Sequence, residues 1–197
     1  MREVYNWSAP PKRSISFTLM MKIVQIDDCY IEELAKQFPH VMFSKRFHRT
    51  HTRKYVGVVF SVDEHNYYVP FSSPKKSDYT QEGVIKTDDL FCARMVEDDG
   101  VGDKKLLGTL RFNNMIPVPM LFVEGYSIDN ESDLKYADVL AAEWKWINKN
   151  QEYICEKAKK IYAFKNNEPK RRNKFNGGRY DAILPFKEIE QYIKEKY

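Results

Sequence analysis

KYVGVVFSVDEHNYYVPFSSPK, residues 54–75, decides the fold. Lys54 to Val62 and Asn66 to Phe71 are rich in β-branched and aromatic residues, and only Asp63, Glu64 and His65 separate them. Two such runs across so short a polar break predict a β-hairpin. Upstream, Met21 to Asp27 (MKIVQID) alternates like a short strand, and Asp28 is placed to cap a helix running to about Gln37. Ile31, Leu34, Ala35 and Phe38 give that helix its apolar face, and Pro39 ends it. Residues 1–20 hold Pro10, Pro11 and several serines with no steady period. They read as an extension outside the fold, with the functional start expected at Met21 and a single domain over 21–197.

Downstream of Phe71, the polar run SSPKKSDYTQEG reads as a loop. Leu90 to Val96, Lys105 to Phe112 and Met120 to Ile128 read as further strands, with Gly100 and Gly102 turning the first into the second. Asn113, Asn114, Pro117 and Pro119 make NNMIPVP a tight loop. Asn130 or Ser132 is placed to cap a long helix with Leu134, Ala137, Leu140, Trp144 and Ile147 on one face, split near Asn148 and Asn150. The next helix buries Ile154, Ala158, Ile161 and Tyr162 and turns Lys157, Lys159 and Lys160 elsewhere. Tyr180 to Leu184 reads as a last strand and Glu188 to Tyr197 as a last helix. Hairpin-linked strands with segregated helices predict an α+β fold: a strongly twisted antiparallel sheet flanked by helices.

The 197 residues are 43% hydrophobic and 14% aromatic, a composition that folds and buries a core. The net charge of +4 hides an uneven distribution. Between Ser44 and Lys54 stand Lys45, Arg46, Arg49, Arg53 and Lys54 with His48 and His51 and no acid. Between Lys157 and Arg179 nine basic residues face the single acid Glu168. Such polarity favours a polyanion, and the interleaved Phe47, Tyr55, Tyr162, Phe164, Phe175 and Tyr180 suit base stacking, so the expected partner class is a nucleic acid. Cys29, Cys92 and Cys155 form no CxxC or Cys/His pattern, which excludes a disulfide framework and a zinc site and fits the cytoplasm. No apolar run approaches the ~20 residues of a membrane span, so no membrane partner is expected. The absence of GxGxxG, Walker, HEXXH and DxDxDG strings leaves no cofactor and no metal indicated.

Ser72-Ser73-Pro74-Lys75 contains an S-x-x-K string, but without S-D-N or K-T-G companions a serine hydrolase is a poor reading. The four residues make better sense as a phosphate-binding corner at a strand end, where hydroxyls and a lysine ligate phosphoryl oxygens and proline stiffens the turn. RNA cleavage without a metal needs in-line attack by the 2'-OH and cations at the nonbridging oxygens. A cationic cluster lowers a nearby lysine's pKa, so Lys75 or Lys54 can move a proton, as can His48 or His51. The competing reading is a non-catalytic RNA-binding protein that uses the same charge and aromatics.

Arg53-Lys54-Tyr55-Val56-Gly57-Val58-Val59, then Tyr68-Val69-Pro70-Phe71-Ser72-Ser73-Pro74-Lys75, resembles the N-terminal signature of the ToxN/AbiQ family, and Asn114-Met115-Ile116-Pro117-Val118 resembles its central motif. The helix carrying Tyr136, Leu140, Trp144 and Ile147, and the next with Ile154, Lys157, Ala158 and Tyr162, are also similar, in the family's order. The resemblance implies a MazF/Kid-like sheet and a metal-independent endoribonuclease toxin that leaves a 2',3'-cyclic phosphate. It implies an mRNA substrate, a small repeat-derived RNA antitoxin, a cyclic toxin–RNA assembly, and a role in phage abortive infection or plasmid maintenance. Carried over, the hydroxyl pair falls on Ser72 and Ser73, the lysine on Lys75, and the basic residue before the strand on Arg53. RNA contacts are expected from Arg46, His48, Arg49, His51, Lys54, Tyr55 and Lys76, and from Lys170, Arg171, Arg172, Lys174 and Arg179. Relatives place a tyrosine where Arg49 stands here, and His48, His51 or Tyr55 are its possible substitutes.

Overall fold

A computed structural model describes residues 21–43, 51–98, 100–166 and 178–197, with 178 and 179 described by their backbone alone. The expected extension over 1–20 lies outside the described residues. The anticipated hairpin is present: β2 (Tyr55–Val62) and β3 (His65–Ser72) pair antiparallel from Val62↔His65 to Tyr55↔Pro70. Asp63 takes φ 50 at the turn. Around them stand β1 (Lys22–Ile26), β4 (Cys92–Asp98), β5 (Lys104–Arg111), β6 (Ile116–Pro117) and β7 (Val123–Gly125). Among the described residues these seven strands form one sheet in the order β4-β5-β3-β2-β1-β7, with β6 beside β3. Every pairing is antiparallel and the sheet does not close.

One edge of β3 serves two partners. Tyr67 and Tyr68 pair with β6, whereas Phe71 and Ser72 pair with Leu110 and Thr109 of β5. Pro70 falls in the interval between them, which is why a proline is tolerated in a strand so far inside the sheet. Gly100 and Gly102, at φ 79 and 97, supply the left-handed backbone of the β4–β5 turn.

The helices are α1 (Asp28–Gln37), α2 (Leu134–Lys149), α3 (Gln151–Asn166), the single turn α4 (Gly178–Asp181) and α5 (Phe186–Lys196). α2 lies against β4 and β5, α3 against β2, and α5 against β6 and α3. Val56, Val59, Tyr67, Val69, Leu110, Phe112, Leu140, Ile147, Ile161 and Phe186 are buried in one continuous core. Glu190 of α5 sits inside it, taking hydrogen bonds from Tyr67 (2.7 Å), Tyr162 (2.8 Å) and Lys187 (2.8 Å). Burial pushes its pKa up, but those donors hold it below the ordinary glutamate value.

Several sequence expectations are corrected. The cap of α1 is Asp27, whose carboxylate accepts from Cys29 and Tyr30 N–H groups, and the cap of α2 is Asp133, which accepts from Tyr136 N–H. Asp28, Asn130 and Ser132 do not hold those places, because the carboxylates of Asp27 and Asp133 reach the free amides. Met120 to Ile128 is not one strand. Phe122 N–H bonds Pro119 O at 3.0 Å and turns the chain, so only Val123–Gly125 pairs, and Met120 and Leu121 stay exposed. Tyr180 to Leu184 is not a strand either: α4 ends at Asp181, and Leu184 makes one bond to Asn113 O at 3.0 Å. Leu134 is exposed rather than on the inner face, because it is the first residue of α2 and precedes the packed turns. The loop 113–119 contributes β6, and the loop after Ser73 holds a 3-10 turn at Lys76–Asp78. Among the described residues no helix is long and apolar enough to cross a membrane.

Candidate active site

Ser72 is the last residue of β3, and the pairing with Thr109 holds its backbone. It is buried, its Oγ donates to Ser73 O at 3.4 Å, and its carbonyl accepts from Thr109 Oγ1 at 3.4 Å. Ser73, Pro74 and Lys75 emerge from the sheet edge into solvent. The turn that follows is tied down by Asp78, whose Oδ2 accepts from Lys75 N–H at 2.9 Å while its own N–H donates to Lys75 O at 2.9 Å. Asp78 is only 1% exposed, and its Oδ1 faces Arg94 of β4 at 3.4 Å and Arg111 of β5 at 3.5 Å. Two strands therefore anchor the lysine turn through one buried carboxylate. Breaking such a buried pair by removing one partner costs ~3–5 kcal/mol. No signal in the sequence marked Asp78, because its partners arrive from strands that only the sheet brings near.

Arg53 reaches the same place from the opposite strand. Its Nη1 donates to Phe71 O at 2.7 Å, the carbonyl just before Ser72, and Phe71 N–H bonds Lys54 O at 2.9 Å. Arg53 is thus fixed beside the strand end that carries Ser72, three residues before Lys75. Lys54 and Tyr55 depart from their expected roles as RNA contacts, since each is 3% exposed and packed in the fold. Residue 55 begins β2 and joins the core, while the Lys54 ammonium lies 3.9 Å above the Tyr126 ring. Burial, outweighing the pull of Glu131, lowers the Lys54 pKa. Tyr126 donates its hydroxyl to Glu131 at 2.5 Å.

His51 is half-buried, stacked on Tyr136 with ring centroids 4.0 Å apart, and its Nε2 stands 3.3 Å from Asp133. Lys76 is exposed within the 3-10 turn. Arg46, His48, Arg49, Lys170, Arg171, Arg172 and Lys174 lie outside the described residues, and Arg179 is placed only by the backbone of α4. Lys157 does not project into solvent as expected. It is buried, donates to Tyr153 Oη at 3.0 Å, and helps line a cavity of about 390 Å³ with Asp88, Leu90 and Tyr153. Burial lowers its pKa. Among the described residues no cluster of His, Cys, Asp and Glu can hold a metal ion.

Behind the strand end lies a group that the sequence reading passed over. Glu143 of α2 is 5% exposed, and burial pushes its pKa up to about 8. Its signal was legible: it stands three residues after Leu140 and four before Ile147, on the apolar stripe of its helix.

A family model described as "Toxin ToxN, type III toxin-antitoxin system" matches residues 22–194. The chain belongs to the ToxN family. It is 26% identical over 170 residues to Endoribonuclease ToxN of Bacillus thuringiensis subsp. kurstaki, covering 84% of this chain and 79% of that one. Two solved structures share the fold. One concerns selective toxin inhibition by a non-coding RNA pseudoknot in a bacterial type III system: TM-score 0.69, 24% identity, 89% of this chain and 96% of that one. The other is AbiQ, a lactococcal anti-phage endoribonuclease: TM-score 0.68, 22% identity, 90% and 99% coverage. The family match begins one residue after Met21 and takes in every strand and every candidate residue named above.

Proposed function

We propose that this ToxN-family chain is an endoribonuclease toxin of a type III toxin–antitoxin system, cutting RNA at the β3 end without a metal ion. The observation that carries the placement is the Arg53 guanidinium, 2.7 Å from the carbonyl preceding Ser72. It brings a permanent positive charge to the corner from which Ser73 and Lys75 project. The RNA 2'-OH attacks the adjacent phosphorus, the P–O5' bond breaks, and the products are a 2',3'-cyclic phosphate and a 5'-hydroxyl. Ser72 and Ser73 bind the phosphate, Arg53 stabilises the charge that builds on it, and Lys75 moves a proton. The basic segment with Lys170, Arg171, Arg172, Lys174 and Arg179 grips the RNA strand. The toxin acts in the cytoplasm on mRNA, is held in check by a small folded RNA cut from a repeat transcript, and closes with it into a cyclic assembly. Its service is phage abortive infection or plasmid maintenance.

The test is purified protein with an RNA oligonucleotide in EDTA. Cyclic-phosphate ends are expected, and Lys75→Ala and Arg53→Ala should each slow cleavage by roughly 10²–10⁴-fold. Intact RNA that is nevertheless bound would favour the non-catalytic RNA-binding reading, and undiminished cleavage by Lys75→Ala would remove that lysine from the mechanism.

A further inference from the structure

Gly108 stands in β5 opposite Met95 of β4, and its neighbour Thr109 is the residue paired with Ser72. A Cβ at position 108 would lie 2.2 Å from Glu143 Oε1, 3.2 Å from the Ser72 carbonyl oxygen and 3.2 Å from the Met95 methyl carbon. The Glu143 carboxyl therefore occupies a notch that exists only because residue 108 has no side chain. The notch opens on the backbone of the strand end. Among the described residues no hydrogen bond or ion pair holds that carboxyl, although 95% of the residue's surface is withdrawn from solvent. A carboxyl withdrawn this far from solvent with no side-chain partner opposes folding, and such violations concentrate where a fold serves chemistry.

We propose that Glu143 is a positioning residue: seated in the Gly108 notch, its carboxyl sets the backbone of Ser72, and with it the serine that faces the scissile phosphate. The inference rests on the role given to Ser72 under Proposed function. Glu143 is assigned no contact with the RNA: its carboxyl lies against Gly108 of β5, beside the strand end. Burial keeps it the neutral acid at pH 7, so it has a proton to offer beside the Ser72 carbonyl, which the strand pairing holds and the Thr109 hydroxyl also approaches at 3.4 Å. A glutamine has the same shape and a donor of its own. A methionine fills the same volume with none.

The experiment measures kcat, KM and Tm for Glu143→Gln, Glu143→Met and Gly108→Ala on an RNA oligonucleotide. Glu143→Gln should keep kcat within about twofold, while Glu143→Met lowers it about tenfold with KM and Tm held. Gly108→Ala should evict the carboxyl and cost a similar factor, and the double variant Gly108→Ala/Glu143→Met should lose no more than either alone. Full kcat in Glu143→Met, a glutamine variant that falls as far as methionine, or losses that simply add would each overturn the proposal. If the unaltered protein leaves RNA intact, the functional reading fails by itself. The positioning claim is then read from the amide resonances of Ser72 and Ser73, which Glu143→Met should shift and Glu143→Gln should not; unmoved resonances would overturn it.

Discussion

Two carboxyls are buried near the strand end with different surroundings. Asp78 is compensated by Arg94 and Arg111 and locks the lysine turn, whereas Glu143 is uncompensated and rises to about 8. In the unfolded chain a glutamate titrates near ~4.3, so between that value and about 8 the folded state binds more protons than the unfolded one. Stability therefore falls as pH rises through this window, by up to about 1.4 kcal/mol per unit, and levels off above it. Glu143→Gln removes the dependence. Denaturant unfolding at pH 5 and pH 8 should find the variant gaining on the parent protein at the higher pH, and an equal gap at both values would contradict a buried neutral acid. The serine–lysine corner was legible in the sequence because hydroxyls, proline and lysine stand together at a strand end. Asp78 was not, since its arginine partners arrive from distant strands; Glu143 stood out on the apolar stripe of its helix, but the glycine notch that receives it did not.

At the level of elements, α5 is locked to the sheet by Glu190 as much as by apolar packing. Its carboxylate takes hydrogen bonds from a tyrosine of β3, a tyrosine of α3 and a lysine one turn away. Tyr67→Phe removes one donor from a buried charge and should cost roughly 1.5–3 kcal/mol in thermal unfolding at neutral pH. Because Glu190 is held below its usual pKa, this contribution is present above the ordinary carboxylate range and lost as pH falls through the depressed value. The deficit of Tyr67→Phe should therefore shrink in acid; a deficit constant down to low pH would sever Tyr67 from the carboxylate. The hairpin, α1 and α5 were readable from period and breaks. The segments at 120–128 and 180–184 misled because short apolar runs look alike in a strand and in a turn that buries two residues, as Ile183 and Leu184 do.

Across the whole molecule, the two basic stretches together carry roughly three times the formal charge of +4. If four phosphates are neutralised on a single strand, raising salt fourfold should weaken binding roughly 50-fold. Filter binding of RNA between 50 and 200 mM salt, with an inactive variant to keep the strand whole, checks this; a flat response would mean that the charge serves something else. The α+β architecture followed from hairpin spacing and helix period, but sheet order did not, because nothing local announces that β3 must share an edge with both β6 and β5. That sharing governs when the proposed site can assemble. A nascent chain that has left the ribosome only as far as Asp98 carries β2 and β3, yet nothing lies along the outer edge of Phe71 and Ser72 until Thr109 and Leu110 emerge. The edge proposed to cut is therefore left open until synthesis has passed the middle of the chain, and fragments that stop short of β5 lack the strand that holds it.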